Sequence, residues 1–119
     1  MNIKLIPGIL LLLSAFTVPV RAHHSAAQYD FQKPDTIEGV VVEAKFANPH
    51  LKLVLKVADD QGTRDITYEG HSRNNLYRRG WRPDLVKVGD KITITIATPR
   101  EGGDGGYVLS IRTAGGKEF

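Results

Sequence analysis

The chain has 119 residues and a 41% apolar fraction, enough for one domain with one modest core. It has no cysteine, which excludes disulfides, thiolate metal centres and a lipidated N-terminal cysteine. The formal net charge of +3 overstates its basic character, because Lys4 and Arg21 fall in an N-terminal apolar leader that holds no acid; 14 basic and 13 acidic residues remain. A domain with a net charge of +1 lacks the phosphate-neutralising surface that nonspecific nucleic-acid binding requires, so no nucleic-acid partner is expected.

The leader opens with Lys4 and continues as an apolar run from Leu5 to Val18, interrupted by Pro7 and Gly8. Val20-Arg21-Ala22 then sets permitted residues at the −3 and −1 positions of a cleavage site. This pattern predicts a signal peptide over residues 1–22 and a periplasmic or secreted protein with no membrane anchor after cleavage. Cleavage after Ala22 makes His23-His24-Ser25 the start of the mature chain.

Residues 23–35 show no clear period and read as an arm leading into a domain over 36–119. Thr36 to Ala47 is rich in β-branched residues and reads as a strand, with Gly39 marking a bulge or bend. Asn48-Pro49 breaks it. Leu51, Leu53, Leu55 and Val57 alternate with Lys52, Val54 and Lys56, the period of a strand with one buried face. Asp59-Asp60-Gln61-Gly62 is turn chemistry, and Arg64 to Glu69 pairs back as a hairpin.

Gly70 to Gly80 changes character. Ser72 suits a helix cap, Leu76 and Tyr77 face a core, Arg78 and Arg79 suit the negative helix end, and Gly80 suits a left-handed stop. Val86, Val88, Ile92, Ile94 and Ile96 alternate around Gly89-Asp90; after a Gly-rich loop from Arg100 to Gly106, Tyr107, Leu109 and Ile111 mark the last strand. The fold expected is mainly β: a small five-stranded OB-like barrel with one short helix between the third and fourth strands. An open sheet with a helix across it is the alternative.

All four histidines, His23, His24, His50 and His71, fall after the leader. An N-terminal His offers its α-amine and ring Nδ1 to one metal as a six-membered chelate. One further imidazole makes a planar three-nitrogen set, which suits Cu(II). His50 and His71 are candidate third donors, and Asp30 or Glu69 could add an oxygen. The arrangement resembles the N-terminal copper sites of periplasmic copper-carrying proteins and lytic polysaccharide monooxygenases. Against it stand plain structural roles: a polar mature start for His23 and His24, and backbone-bonded or helix-flanking positions for His50 and His71.

Asn48-Pro49-His50 forms a stiff corner, either a barrel corner or the wall of a site. Arg78-Arg79-Gly80-Trp81 sets cations beside a large aromatic, either an anion- or sugar-binding surface or a plug for one barrel end. The sequence contains no G-x-S-x-G, P-loop or H-E-x-x-H pattern, and Asp59-Asp60-Gln61-Gly62 is too short for a calcium loop.

Ala22-His23-His24-Ser25, Asn48-Pro49-His50, Arg78-Arg79-Gly80-Trp81 and Val88-Gly89-Asp90 occur in this order. Together they resemble the markers of a bacterial domain-of-unknown-function family of small exported proteins. Its members begin AHHS after a signal peptide and carry an NPH turn and an RRGW segment. Ala26 and Ala27 stand where an aromatic is expected, and Lys52 stands in a strand expected to be more apolar. The resemblance implies export and a single β domain, assigns no activity, and favours His23, His24 and His50 over His71 as a functional set. The expected function is thus an exported binding or accessory module, its ligand copper. A partner-binding barrel, its partner another periplasmic protein, and a copper-dependent redox enzyme are the alternatives.

Overall fold

The structure, a computed structural model, describes residues 25–119. The leader, the cleavage position, His23 and His24 lie outside the described residues. A 3-10 turn, Ser25–Gln28, leads into β1 (Tyr29–Lys45), β2 (Leu51–Asp59) and β3 (Gly62–Gly70). The helix α1 (Arg73–Arg78), β4 (Lys91–Pro99) and β5 (Tyr107–Thr113) follow. The strands hydrogen-bond in the order β1-β2-β3-β5-β4, and β4 returns to β1, so the sheet closes in a ring. All pairings are antiparallel except the short parallel contact of β3 with β5. The short helix between the third and fourth strands completes the OB-like arrangement expected from the sequence. Closure leaves no long unpaired edge.

The core follows the period-2 pattern. Leu51, Leu53, Leu55 and Val57 of β2 are all buried, and Lys52 and Lys56 point out to Glu43 and Asp65 at 3.1 and 2.9 Å. Val41, Ile66, Ile92, Ile94, Ile96, Val108 and Ile111 supply the other inward faces. Burial of this apolar set is the main stabilising term, at about 25 cal/mol per Å² removed from water. The exposed cross-strand ion pairs add a few tenths of a kcal/mol each, roughly.

Four local expectations need correction. β1 begins at Tyr29 rather than Thr36, so residues 29–35 of the expected arm belong to a strand that pairs with β4. The bulges of β1 fall between Val41 and Glu43 and between Asp30 and Pro34, not at Gly39. Gly39 instead admits a close approach of β2: a Cβ there would stand 2.9 Å from the Lys56 carbonyl oxygen. Val86 and Val88 precede β4 in a turn held on β1, with Gly89 N–H donating to Val41 O at 2.8 Å and Val41 N–H to Asp90 O at 2.9 Å. In β5 the register shifts opposite Thr95 and Ile96, so Val108 and Ile111 are buried and Leu109 falls out of phase.

The chain then turns back on β5. Ile111 and Phe119 exchange backbone hydrogen bonds at 2.9 and 3.1 Å, and Thr113 N–H donates to Lys117 O at 2.8 Å. This return seats Phe119 in the core at 4% exposure, a contribution that lies beyond the reach of the strand pattern.

Candidate functional site

β2 starts and β3 ends at the same place, because Leu51 pairs with Gly70 and Leu51 N–H donates to His71 O at 3.0 Å. His50 and His71 therefore flank one end of this hairpin. His50 is exposed, and its Nδ1 stands 3.3 Å from the Gly70 carbonyl. A carbonyl only accepts, so Nδ1 carries the proton and the Nε2 lone pair is left free.

His71 is half-buried, edge-on against Tyr107 with ring centroids 5.2 Å apart. Its Nδ1 lies 3.3 Å from the Tyr107 hydroxyl and 3.5 Å from the Asn75 amide nitrogen. Both neighbours suit an accepting Nδ1, which puts the proton on Nε2, the reverse of His50. Burial lowers the His71 pKa from its ordinary value, and the charges of Arg79 and His50 lower it further. The two rings differ in the nitrogen they present.

Tyr107 is the hub on which the first residues of β1 come to rest. Tyr29 and Phe31 pack on its ring at 5.8 and 5.4 Å between centroids. Arg100 clasps the 3-10 turn, its backbone N–H donating to Gln28 O at 2.9 Å and its Nε–H to Ala27 O at 3.2 Å. The Gln28 amide reaches Glu69 at 3.5 Å, one residue before Gly70. Burial and the neighbouring Glu69 push the Tyr29 hydroxyl up to about 12. Burial, then Glu69, raises that of Tyr107. Asp30 accepts from Gln32 N–H at 3.0 Å and lies 3.9 Å from Arg100, so its carboxylate is occupied on β1. No motif marked Tyr29, Phe31 or Tyr107; the available signal was two aromatics in a segment without a period.

Asn48 caps α1. Its Oδ1 accepts from Asn74 N–H at 3.2 Å, Ala47 O accepts from Arg73 N–H at 2.9 Å, and Ser72 Oγ accepts from Asn75 N–H at 3.2 Å. Three otherwise orphaned donors at the start of α1 are thereby satisfied, two of them by the corner between β1 and β2. Trp81 is 3% exposed and stacks on Phe46 at 4.4 Å, with Arg73 6.0 Å above its ring. It plugs the sheet ring under α1 and offers no face to a ligand. Arg78 and Arg79 stay exposed; Tyr77, expected to face the core with Leu76, is instead 52% exposed, with Arg82 over its ring at 3.8 Å.

Of the expected metal set, the fold brings His50 and His71 together. Among the described residues, no group of three or more His, Cys, Asp or Glu side chains gathers in reach of one metal ion. A family model described as a family of unknown function (DUF6152) matches residues 11–108. That span contains the histidine pair, the Asn48 corner and the Arg78–Trp81 segment. A search of curated proteins returned no match.

Proposed function

The chain belongs to the DUF6152 family, a family of unknown function, and we propose that it serves as an exported binding module holding one Cu(II) ion at its mature N-terminus. Export rests on the leader over residues 1–22. In this reading the His23 α-amine and Nδ1 chelate the metal and His50 Nε2 is the third nitrogen. The observation that carries it is the His50 ring, exposed at the hairpin end with its other nitrogen held by the Gly70 carbonyl. A backbone carbonyl on one ring nitrogen is the usual device for aiming the other at a metal.

The length of the arm supports the reading. The Gln28 side chain meets Glu69 beside the hairpin end. The 3-10 turn from Gln28 back to Ser25 spans about 6 Å, and two further extended residues bring the reach to His23 to about 13 Å. β2 lies about 5 Å from β3. In this reading that reach is long enough for His23 to approach His50. His71, whose Nε2 carries the proton, acts as a neighbour that buttresses the site, and His24 adds a second imidazole beside it.

The test is Cu(II) titration of the chain begun at His23 beside one begun at Ala22. Tight one-to-one binding lost on the one-residue extension is the expected result. Binding indifferent to the extension contradicts the amine-dependent site.

The partner-binding reading has its own support in β1, where Phe31, Val40 and Val42 are 45%, 38% and 36% exposed on one strand. Val40 and Val42 lie two residues apart on β1, and exposed apolar side chains so close together suit a contact with another protein. The redox-enzyme reading has no comparable observation in its favour.

A further inference from the structure

The far end of β2 and β3, around the Asp59–Gly62 turn, opens into a cavity of about 430 Å³. This lies within the roughly 300–1,000 Å³ typical of small-molecule sites. Its lining is mixed, with Ile37, Val57, Ile66 and Ile96 forming the apolar part, and the Gly-rich loop after β4 closes one side. Tyr68 also lines it. Tyr68 is 2% exposed.

The polar rim decides which ligands fit. Among the described residues, Arg64 is the one cation lining the cavity. Its Nε and Nη2 donate to Asp104 at 2.7 Å each, and its Nη1 and Nη2 donate to Asp59 at 2.8 and 3.1 Å. Gly62 O takes the remaining N–H at 3.4 Å. A guanidinium has five donors, and here all are engaged within the protein. It has none left for a phosphate or carboxylate. Asp35 stands on the rim with Oδ1 accepting from Thr36 N–H at 2.8 Å, which leaves Oδ2 uncommitted. Three carboxylates against one guanidinium give the rim two net negative charges.

We propose that this cavity binds a small organic cation, its apolar body between Ile37, Val57 and Ile96 and its ammonium group held by Asp35 and the Tyr68 hydroxyl. Cations are drawn to an anionic rim, and a charge-assisted hydrogen bond to Asp35 is about twice as strong as a neutral one. The site stands apart from the copper reading, because it uses the turn end of β2 and β3 whereas His50 and His71 occupy the opposite end.

The test is an NMR titration of the full chain with three probes of similar shape: 2-phenylethylammonium, 2-phenylethanol and 3-phenylpropionate. The ammonium is expected to give saturable shifts at Ile66, Tyr68 and Ile96, the alcohol weaker ones at the same residues, and the carboxylate none. Asp35→Asn lies on the exposed rim and should weaken ammonium binding about tenfold, one charge-assisted bond, while leaving the alcohol unchanged. Tyr68→Phe keeps the buried ring and should weaken both. Absence of saturable ammonium shifts, shifts confined to residues outside the cavity, carboxylate binding as tight as ammonium, or indifference to Asp35→Asn would each overturn the assignment.

Discussion

At the residue scale, side chains that look like ligand contacts in the sequence turn out to serve the fold. Trp81 stacks on Phe46 with 3% of its surface exposed, so Trp81→Ala removes a core plug. It should lower unfolding stability by about 3–5 kcal/mol. Asn48→Ala removes one cap from α1 and should cost about 1 kcal/mol. Denaturant unfolding of the two variants checks both values, and an Asn48→Ala effect above that of Trp81→Ala would contradict the assignments. Ser72 was legible as a cap because its partner Asn75 is three residues on. The role of Asn48 was not, because its partner Asn74 is 26 residues away and only the tertiary fold brings them together. His50 was legible as a candidate donor; which nitrogen it presents depends on the Gly70 carbonyl, a fact of hairpin register.

At the element scale, strands whose inward residues alternate without interruption were legible, and those with a register shift were not. β2 alternates cleanly, and its four inward residues were readable at once. β5 shifts phase near Leu109, so Val108 replaces it in the core. The return of the chain onto β5 gives a further prediction. Phe119→Ala leaves a void beside the core and should destabilise by about 3 kcal/mol. Little change in the denaturation midpoint would mean that this return contributes little to the fold.

The Gly-rich loop is tied to the β2–β3 turn by Arg64 through Asp59 and Asp104, whose carboxyls the guanidinium holds below the usual range. A carboxylate with a lowered folded pKa stabilises the protein fully above its unfolded value, about 4, and loses that contribution as pH falls through the folded value. Stability should therefore decline below about pH 4, and Arg64→Met should flatten the decline. Thermal unfolding followed from pH 6 to 2 measures this, and identical slopes in the two proteins would exclude the ion triad as the cause.

At the scale of the whole molecule, the order of elements carried the architecture. Five strands with a helix between the third and fourth close as β1-β2-β3-β5-β4, with the parallel β3–β5 contact that such a ring requires. Closure sets two chemically distinct regions on one small domain. At one end of the β2–β3 hairpin stand His50, His71 and the aromatic hub on which the first residues of β1 rest. At its turn lies the cavity of Tyr68 and Asp35. The first was partly legible from histidine positions. The second was not, because its lining comes from four strands and a loop spread across the chain.

The central claim is that copper binds through the His23 amine and His50. Electron paramagnetic resonance of the chain begun at His23 and loaded with one equivalent of Cu(II) tests it most directly, read beside His50→Ala and His71→Ala. The account predicts at least three nitrogen donors, one of them lost in His50→Ala and none in His71→Ala. A spectrum unchanged by His50→Ala would contradict it and leave the exposed apolar side chains of β1 as the better guide to function.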